Sequence, residues 1–192
     1  MTIEFADIQR FVGVDPDGLP GPKTNAAIAA KLGIPVPGKL PDRISEHFTL
    51  AEMMRSQTAT RRGIDNTPTR AQFESLRLLA TNVLEPVRAH FGKPVRITSG
   101  YRGPALNAAI GGAPSSQHCK GEAVDFEIPG VENRRVAKWI RDNLAFDQLI
   151  LEGAKASDPN AGWIHCSFTK HRARKSVLTA TFPGPKYTEG IA

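Results

Sequence analysis

The fold is decided by two stretches, Ser116-Gln117-His118-Cys119-Lys120-Gly121-Glu122-Ala123-Val124-Asp125 and Gly162-Trp163-Ile164-His165-Cys166-Ser167. Gly121 permits a turn with positive φ, so His118 and Asp125 can approach each other across it. Polar and apolar residues alternate after that turn and again around His165, which predicts a strand in each stretch. We therefore expect two imidazoles and one carboxylate to lie on neighbouring segments.

Two histidines and one aspartate form a set of three ligands that suits a catalytic zinc ion, because the fourth position stays open for water. The alternative is that His118 and His165 are ordinary surface or core histidines and that Asp125 is a charge at a strand edge. Any one of these residues alone favours that alternative. Their joint occurrence at this spacing favours a metal site with one zinc ion per chain.

The first stretch resembles the signature of peptidase family M15, the LAS-type zinc peptidases, which is Ser-x-His-x-x-Gly-x-Ala-x-Asp followed later by Trp-x-His. All five fixed positions of the first motif are present, as Ser116, His118, Gly121, Ala123 and Asp125. The resemblance implies a LAS or hedgehog-like α+β fold, with a small antiparallel sheet flanked by helices. It also implies that His118, Asp125 and His165 bind zinc.

A zinc hydrolase needs a general base beside the metal-bound water. Many relatives take this base from a Glu-x-x-His sequence on the last strand, but Gly162 stands at that position here. We expect Glu152, which ends the preceding predicted strand, to be the base. Glu127, on the same predicted strand face as Asp125, is the second candidate, and either carboxylate is alternatively a surface charge without a role.

Further candidate residues come from the segment Ser99-Gly100-Tyr101-Arg102-Gly103-Pro104-Ala105-Leu106-Asn107, which resembles the family's Ser-Gly-Tyr-Arg-x-x-x-x-Asn. The resemblance implies that Arg102 binds a substrate carboxylate or a developing oxyanion, a structural ion pair being the alternative. We expect Asn107, Ser116, Gln117 and Trp163 to contact the substrate. Ser116 is equally suited to forming a turn.

The amino-terminal residues predict a separate small module. Apolar residues recur at helical spacing from Phe5 to Val12, a turn follows at residues 15–18, and a second helix lies between Gly21-Pro22 and Gly33. Ile8-Gln9-Arg10-Phe11, Asp17-Gly18 and Gly21-Pro22-Lys23-Thr24 resemble the peptidoglycan-binding domain-1 family. We predict a helical module over residues 1–34, a proline-rich linker over 35–41 and a zinc peptidase domain over 42–192. The alternative is a helical hairpin that packs on the catalytic domain.

Within the larger domain, periodicity predicts long helices at 69–91 and 131–144 and a short helix at 105–110. Strands are predicted at 95–99, 122–128, 146–152 and 163–168. Helices followed by mostly antiparallel strands indicate an α+β domain.

Composition limits the class of protein. The chain has 192 residues, of which 40% are hydrophobic and 23% charged, and these values are typical of a soluble globular protein. No apolar run is long enough to span a bilayer, and the first residues lack the pattern of a Sec signal peptide. The formal net charge of +6 favours polyanionic partners, including an anionic cell wall. The basic run at 170–175 is expected to be a solvated loop and not a nucleic-acid surface, because no basic aromatic groove or helix-turn-helix accompanies it.

Only two cysteines occur, Cys119 and Cys166, each directly after a proposed ligand histidine. In a strand, the residue after a ligand points to the opposite face, so we expect Cys166 to lie behind the site. Buried free thiols are the expected state, although a disulfide between the two strands is also open.

These observations predict a monomeric zinc peptidase that hydrolyses stem-peptide or cross-link bonds of peptidoglycan. A wall-binding module joined to a peptidase without a signal peptide resembles a phage endolysin, made in the cytoplasm and released to the wall by a phage-type route. The alternatives are a non-catalytic wall-binding protein with a structural zinc and a bacterial D,D-carboxypeptidase.

Overall fold

The computed structural model describes residues 3–18, 22–33, 40–155, 157–184 and 186–191. The chain divides into two units, Met1–Pro41 and Asp42–Ala192. Residues 35–39 of the segment that we expect to be a linker lie outside the described residues, as do Gly21 and Ile34 of the expected helical module.

The first unit contains two helices, α1 (Phe5–Val12) and α2 (Pro22–Leu32). The side chain of Gln9 is buried between them. Its Nε2 donates hydrogen bonds to Asp17 Oδ1 at 2.6 Å and Thr24 Oγ1 at 3.1 Å, and its Oε1 accepts one from the backbone of Gly18 at 2.7 Å. This one glutamine therefore ties together three separate parts of the motif seen in the sequence.

The second unit mixes helices and strands along the chain. Its helices are α3 (Leu50–Met54), α4 (Gln57–Arg62), α5 (Arg70–Leu79), α6 (Glu85–Phe91), α7 (Pro104–Ala109) and α8 (Asn133–Asn143). Its strands are β1 (Arg96–Ser99), β2 (Ala123–Glu127), β3 (Gln148–Glu152), β4 (Trp163–Ser167), β5 (Ser176–Thr181) and β6 (Lys186–Glu189).

The six strands form one sheet with the order β1-β2-β4-β3-β5-β6. Neighbouring strands are antiparallel, except that β3 and β5 are parallel. The α+β prediction is thus confirmed. The sequence analysis did not identify β5 and β6, and it placed no parallel pair in the sheet.

The core lies on one face of the sheet. The fully buried residues Val124, Phe126 and Ile164 alternate along their strands with the polar residues of the opposite face. Apolar residues of α5 and α8 are also buried, including Phe73, Leu76, Val136 and Ile140. Burying each such side chain contributes about 1.5–3 kcal/mol, so helices cover this face and leave the other free for a site.

The helix predicted over 69–91 is one continuous helical segment with a change of geometry in its middle. Residues Ala80–Leu84 form a π-helical turn between α5 and α6. Pro86 lies directly after this turn, in the first turn of α6. Proline has no backbone N–H to donate to the preceding turn, which accounts for the wider turn at this point.

No helix among the described residues is both long and apolar enough to cross a membrane.

Candidate metal centre and active site

Three side chains converge on the polar face of the sheet. One ligand atom each of His118, Asp125 and His165 lies within 4.8 Å of the other two. His165 Nδ1 is 2.9 Å and His118 Nε2 is 3.4 Å from the same Asp125 oxygen, and the two ring nitrogens are 3.3 Å apart. All three residues are at most 9% exposed. Two nitrogens and one oxygen at this mutual spacing fit a zinc ion with an open fourth position.

Strand pairing and one turn bring these ligands together. Asp125 on β2 pairs directly with His165 on β4, so their side chains share a face. His118 lies in a 3₁₀ turn, Gln117–Lys120, that ends at Gly121 with φ +70°. A Cβ at Gly121 would overlap the backbone carbonyl of Gln72. Glycine is therefore required there both for its backbone conformation and for its lack of a side chain.

A backbone hydrogen bond fixes the orientation of the His118 ring. Its Nδ1 is 2.7 Å from the backbone carbonyl of Gly100, and this nitrogen must donate because a carbonyl only accepts. Nε2 then faces Asp125 and His165. A backbone carbonyl that fixes the tautomer of a ligand histidine is a common arrangement at metal sites.

The carboxylate of Asp125 is held ionised. Burial by itself would raise its pKa, but His118 and His165 outweigh burial through their charge and hydrogen bonds and lower the pKa of Asp125 well below its usual range. Arg102 adds a further positive charge, with Nη1 3.9 Å from the second carboxylate oxygen. An ionised carboxylate is the form that binds a metal ion.

The two cysteines are not part of this cluster. Both are free, and burial raises the pKa of each thiol. Cys166 pairs with Val124 on the buried face of the sheet, behind the ligands. Neither thiol therefore offers a thiolate to the site.

His118, Asp125 and His165 are among the residues that line an open cavity of about 630 Å³. Its wall includes the charged residues Arg102, Lys120, Glu152, Arg172 and Arg174, and the uncharged residues Ser116, Gln117, Gln148, Ile150, Trp163 and Tyr187. A cleft of this size holds several residues of a peptide and places them over the ligands.

The structure separates the two candidate bases. Glu152 pairs with Trp163 across β3 and β4, two residues along from the pair formed by Ile150 and His165, and its side chain lines the cavity. Burial raises the pKa of Glu152, and the negative charge of Asp125 raises it further, whereas the charges of His165 and Arg102 act in the opposite direction. Glu127 instead forms an ion pair with Arg96 at 3.2 Å and is not among the residues that line this cavity. Geometry thus favours Glu152.

Gly162 shows why this chain lacks the usual glutamate of Glu-x-x-His. Its φ is +75°, and a Cβ there would overlap the carbonyl oxygen of Glu152 and lie 2.7 Å from the carbonyl carbon. The carbonyl of Gly162 accepts a hydrogen bond from Asn133 Nδ2 at 2.9 Å. The loop that enters β4 therefore passes too close to the end of β3 for any side chain.

Four of the five candidate substrate residues line the cavity, and one does not. Arg102 Nη2 donates to Ser116 Oγ at 3.3 Å, Gln117 donates to Asp147, and Trp163 stacks on Phe182 with ring centres 5.9 Å apart. These predicted residues line the cavity. Asn107 does not: its side chain is buried and donates to the carbonyl of Ala113 at 2.9 Å.

Asp147 is not among the site residues predicted from the sequence, and its side chain is fully buried next to the cavity. Arg174 Nε and Nη2 bind its two oxygens at 2.8 and 2.7 Å, and Arg172 Nε lies 3.2 Å from one of them. The Arg174 guanidinium lowers the pKa of Asp147 to about 2. The signal for this contact in the sequence is the basic run at 170–175, which is expected to be a solvated loop. Two of its arginines instead line the cavity.

Comparison with known proteins agrees with this architecture. The sequence model of the family described as Peptidase M15 matches residues 46–167, which is more than half of the chain and includes all three ligand residues. No curated protein matches the chain closely enough to be counted as a relative. The match shows that the chain belongs to the peptidase M15 family, and its class is that of a peptidase.

Proposed function

We propose that this M15 peptidase hydrolyses peptide bonds of bacterial peptidoglycan with one zinc ion held by His118, Asp125 and His165. The observation that carries the proposal is the convergence of the three ligand atoms within 4.8 Å in the lining of a cavity. The orientation of His118 by the Gly100 carbonyl, at 2.7 Å, supports a metal site because it leaves Nε2 free to bind.

When bound, zinc supplies a water molecule of lowered pKa and polarises the carbonyl of the substrate. Glu152 would act as the proton acceptor beside such a site, because it is the carboxylate of the cavity wall outside the set of His118, Asp125 and His165. The raised pKa of Glu152 suits it to pass the same proton on to the leaving amine.

Arg102 binds the oxyanion or a substrate carboxylate. Its two present hydrogen bonds, to Ser99 and Ser116, are long at 3.4 and 3.3 Å. A charged oxygen is a stronger acceptor than a hydroxyl, so substrate can replace either serine. Ser116 is then free to bond the substrate backbone, together with Gln117.

The peptidoglycan substrate is supported by the amino-terminal unit, 1–41, which is separate from the peptidase unit. The Gln9 network joins the residues that resemble a peptidoglycan-binding domain. The net charge of +6 favours adsorption to an anionic wall. We propose that the protein works as a monomer, at the wall, after endolysin-like release.

A second candidate is a wall-binding protein whose zinc is structural, and Gly162 favours it because it removes the usual glutamate. A related question is whether the enzyme is a carboxypeptidase or an endopeptidase. One experiment answers this question and also tests the structural-zinc alternative. Purified sacculi are digested with the zinc-loaded protein, and the released products are identified by mass spectrometry.

The expected result is release of new muropeptides or amino acids that stops with a chelator and returns with added zinc. The Glu152→Gln variant is the matched control, because it keeps the ligands and removes the proposed base. Binding to sacculi without any release would support the structural-zinc alternative and reject the enzyme.

A further inference from the structure

One wall of the cavity carries a group of positive charges that the hydrolysis mechanism does not use. It consists of Arg172 and Arg174, which share the buried carboxylate of Asp147, and of Lys120, which lines the same cavity. We call these three basic residues, together with Asp147, the Asp147 cluster.

Asp147 is built to hold its arginines in place. Its side chain is 0% exposed. Its backbone N–H donates to Ser167 at 2.8 Å, and its carbonyl accepts from Ser176 at 3.1 Å. Gln117, the residue before His118, donates to its second oxygen at 3.0 Å. Since both carboxylate oxygens are engaged on several sides, the arginines are fixed relative to the metal ligands.

Each arginine of the Asp147 cluster keeps N–H groups that are not bonded to Asp147. Asp147 engages Nε and Nη2 of each guanidinium. Among the described residues, Nη1 of Arg172 and Nη1 of Arg174 make no hydrogen bond. The two side chains are 58% and 41% exposed, toward the cavity that they line. A guanidinium has five N–H donors, so each of these arginines can bind a second carboxylate without releasing the first.

The Asp147 cluster carries more positive charge than is needed to neutralise the carboxylate of Asp147. One arginine neutralises one carboxylate, yet Asp147 pairs with two arginines, and Lys120 adds a further positive charge to the lining of the same cavity. The acidic residues that line the cavity are Asp125, a ligand, and Glu152, the proposed base. This part of the wall is therefore left with a positive charge that faces the substrate.

From this geometry we infer that the Asp147 cluster is a subsite for a free carboxylate of the substrate, with Arg172 and Arg174 as the specificity-determining residues. The inference rests on the proposed function and narrows it to acidic peptides. A substrate whose carboxylate near the cleaved bond is converted to a carboxamide keeps its shape but loses the charge that the arginines recognise.

The test uses the full-length, zinc-loaded protein and soluble stem peptides in pairs, each with a free carboxylate or with a carboxamide at one position in turn. The measured quantity is kcat/KM. The wild type should prefer the free acid by about tenfold or more at one position, as expected for a charge-assisted hydrogen bond. Arg172→Gln should remove most of that preference by slowing the acid alone, and Arg172→Lys should restore part of it.

Lys170→Gln is the control, because Lys170 is exposed on the same loop and is not among the residues that line the cavity. Equal kcat/KM for acid and carboxamide in the wild type would overturn the inference. An equal loss for both substrates in Arg172→Gln would overturn it too, since that is the result of a purely structural role.

The subsite can be tested by binding even if the protein proves not to be a peptidase. If the wild type cleaves no peptide, the same pairs are titrated against wild type and Arg172→Gln by calorimetry. Tighter binding of the acid that Arg172→Gln abolishes supports the subsite even then. Equal binding of acid and carboxamide to the wild type rejects it.

Discussion

Replacement of Gly162 by alanine should destabilise the peptidase unit far more than replacement of an ordinary glycine. A Cβ at this position meets two penalties. The residue has φ +75°, where an L-amino acid is less stable by about 1–2 kcal/mol. The methyl group would also overlap the carbonyl of Glu152, and overpacking of this kind costs about 1–3 kcal/mol. Together they predict a loss of about 3 kcal/mol.

Thermal unfolding at a fixed zinc concentration measures this loss. For a domain of this size, about 3 kcal/mol corresponds to a fall in Tm of about 6–12 °C. Gly111→Ala is the matched control, because Gly111 has the same φ of +75° and a Cβ added there would meet nothing within 4 Å. It should lose only about 2–8 °C, because the backbone penalty of about 1–2 kcal/mol alone applies there. Equal shifts for the two variants would refute the close approach of β3 and the loop before β4.

Three further predictions concern the base, the Asp147 cluster and the amino-terminal unit. Glu152→Gln should keep zinc and fold but lower turnover by about a hundredfold or more, and near-wild-type rates would assign the base to another carboxylate. Asp147→Asn should remove about 2 kcal/mol of stability at neutral pH, because the pKa of Asp147 falls from 3.8 to about 2 on folding. This contribution is present above pH ~4 and is lost as the pH falls toward ~2, so urea unfolding curves of variant and wild type should converge in acid; a constant difference would contradict it. Deletion of residues 1–40 should leave a folded, zinc-loaded peptidase that cuts soluble peptides normally and sacculi more slowly, since the tether raises local concentration. Equal rates on sacculi would reject the wall-binding proposal, and loss of zinc would make this segment part of the catalytic fold.

Local signals in the sequence predicted the parts of the site that lie close together along the chain. Gly121 and the alternation after it predicted that His118 and Asp125 approach each other, and the structure brings them together. The α+β class followed from periodicity in the same way. Each of these inferences needed only a turn and a strand of a few residues.

Features that depend on strand register were beyond such reasoning. Glu152 reaches the cavity because it pairs with Trp163, whereas Glu127 is drawn to Arg96 on β1. The attachment of the basic loop to Asp147 joins residues 27 positions apart. Sequence periodicity assigns a face to a residue but not its partner on the next strand, so these contacts required the structure.

The requirement for glycine at 162 shows a different limit. The sequence shows only that the expected glutamate is missing. The approach of Gly162 to the carbonyl of Glu152 depends on the path of the loop between β3 and β4, which no local pattern specifies. The position that lacks the expected glutamate, Gly162, is thus in close contact with the backbone of the candidate base, Glu152.

The central claim is that His118, Asp125 and His165 hold the catalytic zinc, and the zinc content of purified protein tests it most directly. Elemental analysis should find about one zinc per chain in the wild type and in the exposed control His171→Ala. His118→Ala and His165→Ala should fall well below one, whereas Asp125→Asn should lose less because it keeps an oxygen ligand. Full occupancy in either histidine variant would contradict the account.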